Sequence, residues 1–324
     1  NSRENLWFVK IPHQNSSEHR TFNDGVVDIK SKSPVKAVAR RKIVFVYHQE
    51  FRFSGATIMR CFQAADVLER SGEGRYGVSL SCSLDISGSF VYLSKGMLKK
   101  ITQQEIADLH SKGNIIFADF VDDPVRQELL PWVDALLASS MSAYSDFVRR
   151  FPSTYVHHLV HMVDTRLPEM SRHSELRVGY FGEMPNTVVT DNIVEHVDFV
   201  SVNTKVSNPA WLKRVADYNC HYCVRQTREI DAFKPFLKGF TAAHFEAPIL
   251  VDKRVKEAQI YLGNDYPYIS DSSKENSILE LLEFAKISFG SPVWLDAVDR
   301  LRHLKSQSSA EHYVNEFQNL LDCF

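Results

Sequence analysis

The sequence predicts two α/β domains, each built on a parallel β-sheet. Three observations carry that prediction. The chain has 324 residues, more than one hydrophobic core usually sustains. A short, wholly apolar, β-branched run at residues 43–47 leads through a glycine turn into a helical pattern. A second α/β series opens at residues 176–182, after apolar patterning breaks down over 168–175.

Taken in order, residues 1–40 mix polar, basic and serine-rich stretches without periodicity and are expected to form an extension. Ile43, Val44, Phe45, Val46 and Tyr47 suit a strand buried on both faces. A turn with Ser54, Gly55 and Ala56 follows, then Ile58, Met59, Phe62, Ala65, Val67 and Leu68 at helical spacing. Strand, glycine turn and helix make the first unit of a parallel α/β sheet. Further strands are expected at 77–80, 90–93 and 114–118, and a helix at 101–109. The run 132–137 leads to Ser140, which is suited to cap a helix over 143–151. Residues 155–163 supply the last strand of this first domain, 41–170. The second domain, 171–290, begins with the strand 176–182 and continues with strands at 197–202, 220–225 and 248–251. Helices are expected after Lys234 and Pro235 and over 277–289. Two more, 294–304 and 312–321, form a C-terminal segment 291–324 whose helices, around Trp294, are expected to return onto the first domain.

Composition bounds the function. Hydrophobic residues are 44% and charged residues 24%, the values of an ordinary soluble globular protein. A formal net charge of -2 argues against a nucleic-acid partner, although a local basic cluster could still grip a small phosphorylated ligand. No apolar run reaches the length of a membrane span. Five cysteines, an odd number in a long chain, favour a reducing compartment and hence a cytoplasmic protein. Cys220-His-Tyr-Cys223 has CxxC spacing, but no second pair of ligands stands at workable distance, so no metal is expected.

The most informative stretch runs from Arg225, at a strand end, through Lys234, Pro235, Lys238 and Thr241 to Pro248. Pro235 suits a first helical position, with Lys234 just before the helix and Lys238 in its opening turn. Positions 234, 238 and 241 would then share one stripe. Cations at a helix N-terminus oppose the macrodipole, and a bound diphosphate would relieve that conflict. The competing interpretation is a solvated basic helix end.

A strand-end arginine, a lysine-proline, a second lysine four residues on and a small-residue helix running into an apolar strand resemble retaining glycosyltransferases of the GT-B fold. Ser54-Gly55-Ala56-Thr57 is similar to their glycine loop, and 132–140 to a strand near the end of their N-terminal domain. Residues 157–164, ending in Val163-Asp164, are similar to their interdomain crossover, and Arg177 to Gly182 to the first strand of their C-terminal domain. The resemblance covers roughly residues 41–290. Many members carry two glutamates eight residues apart where this sequence has Phe233 and Thr241, so it departs from that form.

The resemblance implies two Rossmann-like domains facing each other across a cleft, and transfer of a sugar from a nucleotide-sugar donor with retention, without metal or other cofactor. It implies Arg225, Lys234 and Lys238 on the donor diphosphate, Thr241 near the ribose or sugar, and Gly55 with Ala56 closing over the phosphates. Glu183, in a loop at a sheet's carboxyl edge, is a further donor contact or a solvated turn residue. On the acceptor side stand His48, Asp122 and Asp123, which alternatively form an ordinary polar loop and a structural histidine. The aromatics of 261–268 suit either stacking on a base or packing under a loop. Expected acceptors are a glycan, a lipid-linked sugar or a protein, with peripheral association at the inner face of a membrane. The alternatives are a sugar-nucleotide epimerase or hydrolase on the same architecture, and a non-catalytic nucleotide-binding scaffold. A dehydrogenase is disfavoured because no G-x-G-x-x-G stands between a strand and a helix.

Overall fold

A computed structural model of the chain describes residues 41–71, 76–171, 173–202, 210–226 and 232–324. The expected extension 1–40 and residues 227–231 of the lysine-bearing stretch lie outside the described residues.

Strands β1 (Ile43–Val46), β2 (Val78–Ser81), β3 (Phe90–Leu93), β4 (Ile115–Asp119), β5 (Ala135–Ala138) and β6 (Tyr155–His158) form one sheet in the order β2-β1-β3-β4-β5-β6. Every pairing is parallel, with Ile43 opposite both Val78 and Phe90. All four residues of β1, β3 and β5 are buried, because helices cover both faces. Alternation along β1 sends Val44 and Val46 to one hydrophobic cluster and Ile43 and Phe45 to the other. A second sheet holds β7 (Val178–Gly182), β8 (Asp198–Ser201), β9 (Cys220–Tyr222), β10 (Ile249–Asp252) and β11 (Ile269–Ser270). Its order is β11-β10-β9-β7-β8, again all parallel. Two α/β units of parallel strands are thus present, as the sequence predicts.

The same strand-to-helix grammar recurs along one edge of the first sheet. Ser54, Ser94 and Ser140 follow β1, β3 and β5, and each accepts from the amide three residues on. Each thereby satisfies one of the amides a helix start leaves orphaned. The helix after Ser54 is continuous from Gly55 to Ser71, but its middle, Ile58–Gln63, is a π-helix.

Several boundaries differ from expectation. β6 stops at His158 and β9 at Tyr222, where the chain leaves each sheet while remaining buried. Pro235 is not a first helical residue: the helix is Leu237–His244 with Phe236 as its N-cap. Helices at Lys256–Leu262 and Ala210–Val215 were not expected. Tyr266 and Tyr268 are buried in the second sheet's core, and Tyr261 stacks on Phe236 rather than on open space. The two C-terminal helices part company. Pro292–Gln307 buries Trp294, Ala297 and Leu301 in the second sheet's core, so Trp294 does not return to the first. Only Ala310–Leu321 lies on the first sheet, where Tyr313, Phe317 and Leu320 join Phe45 and Tyr92.

Phe317 is fully buried and its ring centroid lies 5.7 Å from that of Phe45. Phe317→Ala should therefore cost about 3–5 kcal/mol in urea unfolding, the range for deleting a buried aromatic. A cost below about 1 kcal/mol would show that the last helix is not part of the first core.

Candidate functional site

The first five strands of each sheet follow one order, and in each that order reverses at the same place. β1 pairs with both β2 and β3, and β7 with both β8 and β9. Ligands of open α/β sheets bind beyond the carboxyl ends of strands at such switch points. Here the residues beyond both switch points line one cavity of about 980 Å³. From the first come Gly55, Ala56 and Lys95; from the second, Glu183 and Arg225.

The cavity brings together eight of the ten residues the sequence singles out: Gly55, Ala56, Asp122, Glu183, Arg225, Lys234, Lys238 and Thr241. His48 and Asp123 do not line it. His48 accepts from the Glu50 amide at 3.3 Å and caps the short helix Gln49–Phe51. Asp123 is ion-paired to Lys95 and Lys99 at 2.9 Å each. Lys95, missed in the sequence, also pairs with Asp122 at the cavity wall. Its signal was the strand, serine, helix order that marks Ser54 and Ser140.

Lys238 is the centre of the second half of the site. It stands at the second position of its helix, and its ammonium donates to the Phe181 carbonyl at 2.8 Å. The same ammonium lies 3.7 Å from the centroid of the Tyr180 ring, a close cation–π contact. Among the described residues no carboxylate forms an ion pair with it, although the charge of Glu183 acts on it. Burial lowers its pKa from the usual 10.5 to about 8, and Arg225 and Lys234 push in the same direction. Gly182 makes the arrangement possible, since a Cβ there would stand 2.6 Å from both the Lys238 nitrogen and the Tyr180 hydroxyl. Tyr180 is itself fixed by donating to the Glu183 carbonyl at 2.8 Å. Arg225 is held through its backbone: its amide lies 3.4 Å from Asp252, and its carbonyl accepts from Arg254. Lys234 lies outside the helix, so 234, 238 and 241 do not form one helical stripe; Lys238 and Thr241 do share a face. The Thr241 hydroxyl donates to the Leu237 carbonyl at 3.0 Å, as helical threonines often do.

The first half offers a helix N-terminus. Ser54 caps it at Thr57, and an added Cβ on Gly55 would meet nothing within 4 Å. Gly55 and Ala56, the first residues of this helix, both line the cavity, and a helix start is a ready anion site. Behind it the π segment turns Arg60 and Gln63 into the protein. Arg60 pairs with Asp119 and donates to the carbonyls of Leu159 and Val160 at 3.3 Å each. Gln63 donates to Asp164 at 2.7 Å and accepts from the Thr165 amide. Asp119 also accepts from Tyr92 and from the Val121 amide, and Val121 adopts φ 59°, strained for a β-branched residue.

Two contacts join the second sheet's elements to the first. Glu257 is 3% exposed and accepts from the amides of Met141 and Ser142 at 3.1 and 2.9 Å, and from the Ser142 hydroxyl at 2.6 Å. It thus fills the N-terminus of the helix Met141–Arg150 with a carboxylate, as the macrodipole favours. Phe233 packs its ring 6.1 Å from Phe147, and its carbonyl accepts from Ser140 at 2.9 Å. Where glutamate was expected by resemblance, this chain has an aromatic that anchors on the first domain's helix. Cys220 and Cys223 are buried free thiols whose pKa burial pushes up. Among the described residues no group of three or more His, Cys, Asp or Glu could hold a metal.

Compared by sequence, the chain matches no family model and no curated protein. Compared by structure, it is similar to Anabaena HepE solved in complex with UDP, at 9% identity and a TM-score of 0.60, covering 87% of this chain and 100% of that one. It is similar to a glycosyltransferase from Rickettsia africae at 7% identity and a TM-score of 0.58, covering 87% and 98%. Sucrose-phosphate synthase from Thermosynechococcus elongatus aligns at 10% identity and a TM-score of 0.55, again over 87% and 98%. At these identities the likeness is one of fold, and the fold is GT-B: two parallel-sheet halves across a cleft.

Two predictions follow from the two halves of the site. Lys238 has a folded pKa of about 8 against 10.5 unfolded, so between those values the unfolded chain binds the extra proton and stability rises with pH. Below about 8 the native state carries the whole penalty, about 3 kcal/mol. Lys238→Met should thus be more stable than the parent in urea at pH 7, and the gap should narrow towards pH 10; an equal or lower stability at pH 7 refutes the lowered pKa. Glu257→Ala leaves the Met141 and Ser142 amides unpaired in a buried contact and should destabilise by about 1–3 kcal/mol. Its radius of gyration by small-angle scattering should rise, and an unchanged radius would mean that Glu257 does not hold the two halves together.

Proposed function

We propose that the protein is a glycosyltransferase that takes a nucleotide-sugar in the cleft and passes its sugar to a hydroxyl acceptor. The observation that carries this is Lys238: a buried ammonium with a lowered pKa, costly to the free protein, at the switch point of the second sheet and without an ion pair among the described residues. Arg225 and Lys234 line the cavity with it, and the Gly55 helix start lines the same cavity from the first sheet. An anion with two or more charged oxygens matches that set better than any neutral ligand.

The chemistry follows from the charges. When the bond between the anomeric carbon and the diphosphate oxygen breaks, negative charge develops on the departing diphosphate. Arg225, Lys234 and Lys238 stabilise that charge, together with the amides of Gly55 and Ala56. Preorganised cations in a partly dry cleft do this without rearranging at the moment of reaction. Side chains of the protein thus take the part a metal plays elsewhere, and transfer proceeds with retention, as the resemblance implies. Glu183 and Thr241 complete the donor side. Asp122, held by Lys95 at the wall contributed by the first sheet, is the group nearest in kind to an acceptor-hydroxyl contact. His48 and Asp123 drop out of that role, since they are engaged outside the cavity. The transferred sugar is a hexose, and the acceptor a glycan, lipid-linked sugar or protein, consistent with polysaccharide synthesis at the inner face of a membrane. No helix among the described residues is long and apolar enough to cross one.

A thermal-shift panel of nucleoside mono- and diphosphates tests this. At least one diphosphate should raise the melting temperature of the parent and leave Lys238→Met unmoved. Its affinity should be flat below pH 8 and fall as pH rises above it, because Lys238 must then gain a proton to bind. The fall should approach about tenfold per pH unit. If no nucleotide shifts the parent, the proposal fails.

A further inference from the structure

His161 stands on the crossover between the two sheets and lines the cavity, yet no role assigned so far uses it. Its residue surface is only 3% exposed. Nδ1 lies 3.0 Å from the Met162 carbonyl oxygen. A carbonyl can only accept, so Nδ1 carries the proton and Nε2 keeps its lone pair. With the Nδ1 edge turned to the backbone, the edge left to meet the cavity is the one bearing Nε2. No hydrogen-bond partner for Nε2 exists among the described residues. By contrast, the unpartnered Nε2 atoms of His158 and His221 are sealed off. Burial, with Arg60 behind it, holds the His161 pKa at about 4, so the ring is neutral at ordinary pH.

The ring is also rigid. Arg60 bonds the carbonyls of Leu159 and Val160 just before it, and Gln63 grips Asp164 and Thr165 just after it. A fixed, neutral nitrogen with one lone pair is a poor partner for phosphate, which offers acceptor oxygens. It is a good partner for a hydroxyl, which offers a proton. A buried acceptor of this kind discriminates strongly, because a ligand lacking the matching donor leaves it unpaired.

We propose that His161 is a specificity-determining residue of the cleft, its Nε2 accepting a hydrogen bond from a hydroxyl of the sugar bound there. This rests on the nucleotide-sugar function proposed above. Calorimetric titration with UDP against UDP-glucose, and GDP against GDP-mannose, separates the two. In His161→Phe the nucleoside diphosphate should bind within about twofold of the parent, while the sugar-bearing nucleotide should lose about tenfold, the worth of one buried hydrogen bond. His161→Gln, whose Oε1 can accept, should recover part of that loss. Equal losses for both ligands would make His161 structural, and no loss for either would also overturn the proposal. A parent that binds none of the four ligands overturns the nucleotide-sugar function itself. If His161→Phe does not fold, the imidazole ¹⁵N spectrum of the parent decides. The Nε2 resonance should move with the sugar nucleotide and not with the diphosphate alone; movement with both or neither refutes the assignment.

Discussion

Arg60 is a guanidinium at 2% exposure, and such a group persists in a protein interior only when its charge and donors are met. Asp119, fully buried at the end of β4, meets the charge, and two crossover carbonyls take further donors. Arg60 stands in the π segment, and from it Arg60 and Gln63 both reach the crossover. With the crossover held at both ends, the positions of the two sheet edges, the Val121 turn and His161 are all fixed from one element. The same element begins at Gly55, at the cavity wall. One helix thus both lines the cavity and grips the crossover.

The two halves contribute to the site by opposite means. The first sheet supplies neutral dipoles and matched charges: a helix start, the Lys95 pair with Asp122, and a neutral imidazole. The second supplies positive charge, with the pKa of Lys238 lowered by burial and by the neighbouring Arg225 and Lys234. A protein tolerates such a loss of stability when a ligand restores it. Thr241 and the Gly182 contact make room for that ligand, since neither projects a bulky group over the ammonium.

The strands were legible because continuous apolar runs such as 43–46 and 115–118 have one physical explanation, a parallel strand covered on both faces. Ser140 was legible because a capping serine before an apolar helical pattern is local chemistry. The cluster of Arg225, Lys234 and Lys238 was legible as unusual charge near a helix start. What escaped was set by tertiary contact. Pro235 has the right residue type for a first helical turn, but Phe233 is anchored on Phe147 and Ser140, and the chain needs Pro235 and Phe236 to return from there. Trp294 resembles any amphipathic anchor, and nothing local says which of two cores receives it. The π segment has no sequence signature in Ile58–Gln63. Arg60 within it reads as a surface cation, and His161 as one of three histidines in a strand-like run.

The Ser-capped helix starts at the edge of the first sheet decide where an anion can go. The last of them, Met141–Arg150, already holds a carboxylate, since Glu257 reaches across and accepts from its first amides. A phosphate there would have to displace a buried glutamate and break the contact between the halves. Among the described residues no carboxylate bonds the amides at Gly55, and the space beside Gly55 is open. One helix dipole is therefore spent on holding the domains in register, and the other is left for a ligand. Phe233 lies within the cationic stretch, just before Lys234, and Glu257 follows it in sequence. The register they set fixes how far Lys238 stands from Gly55, and with it the size of anion that can touch both.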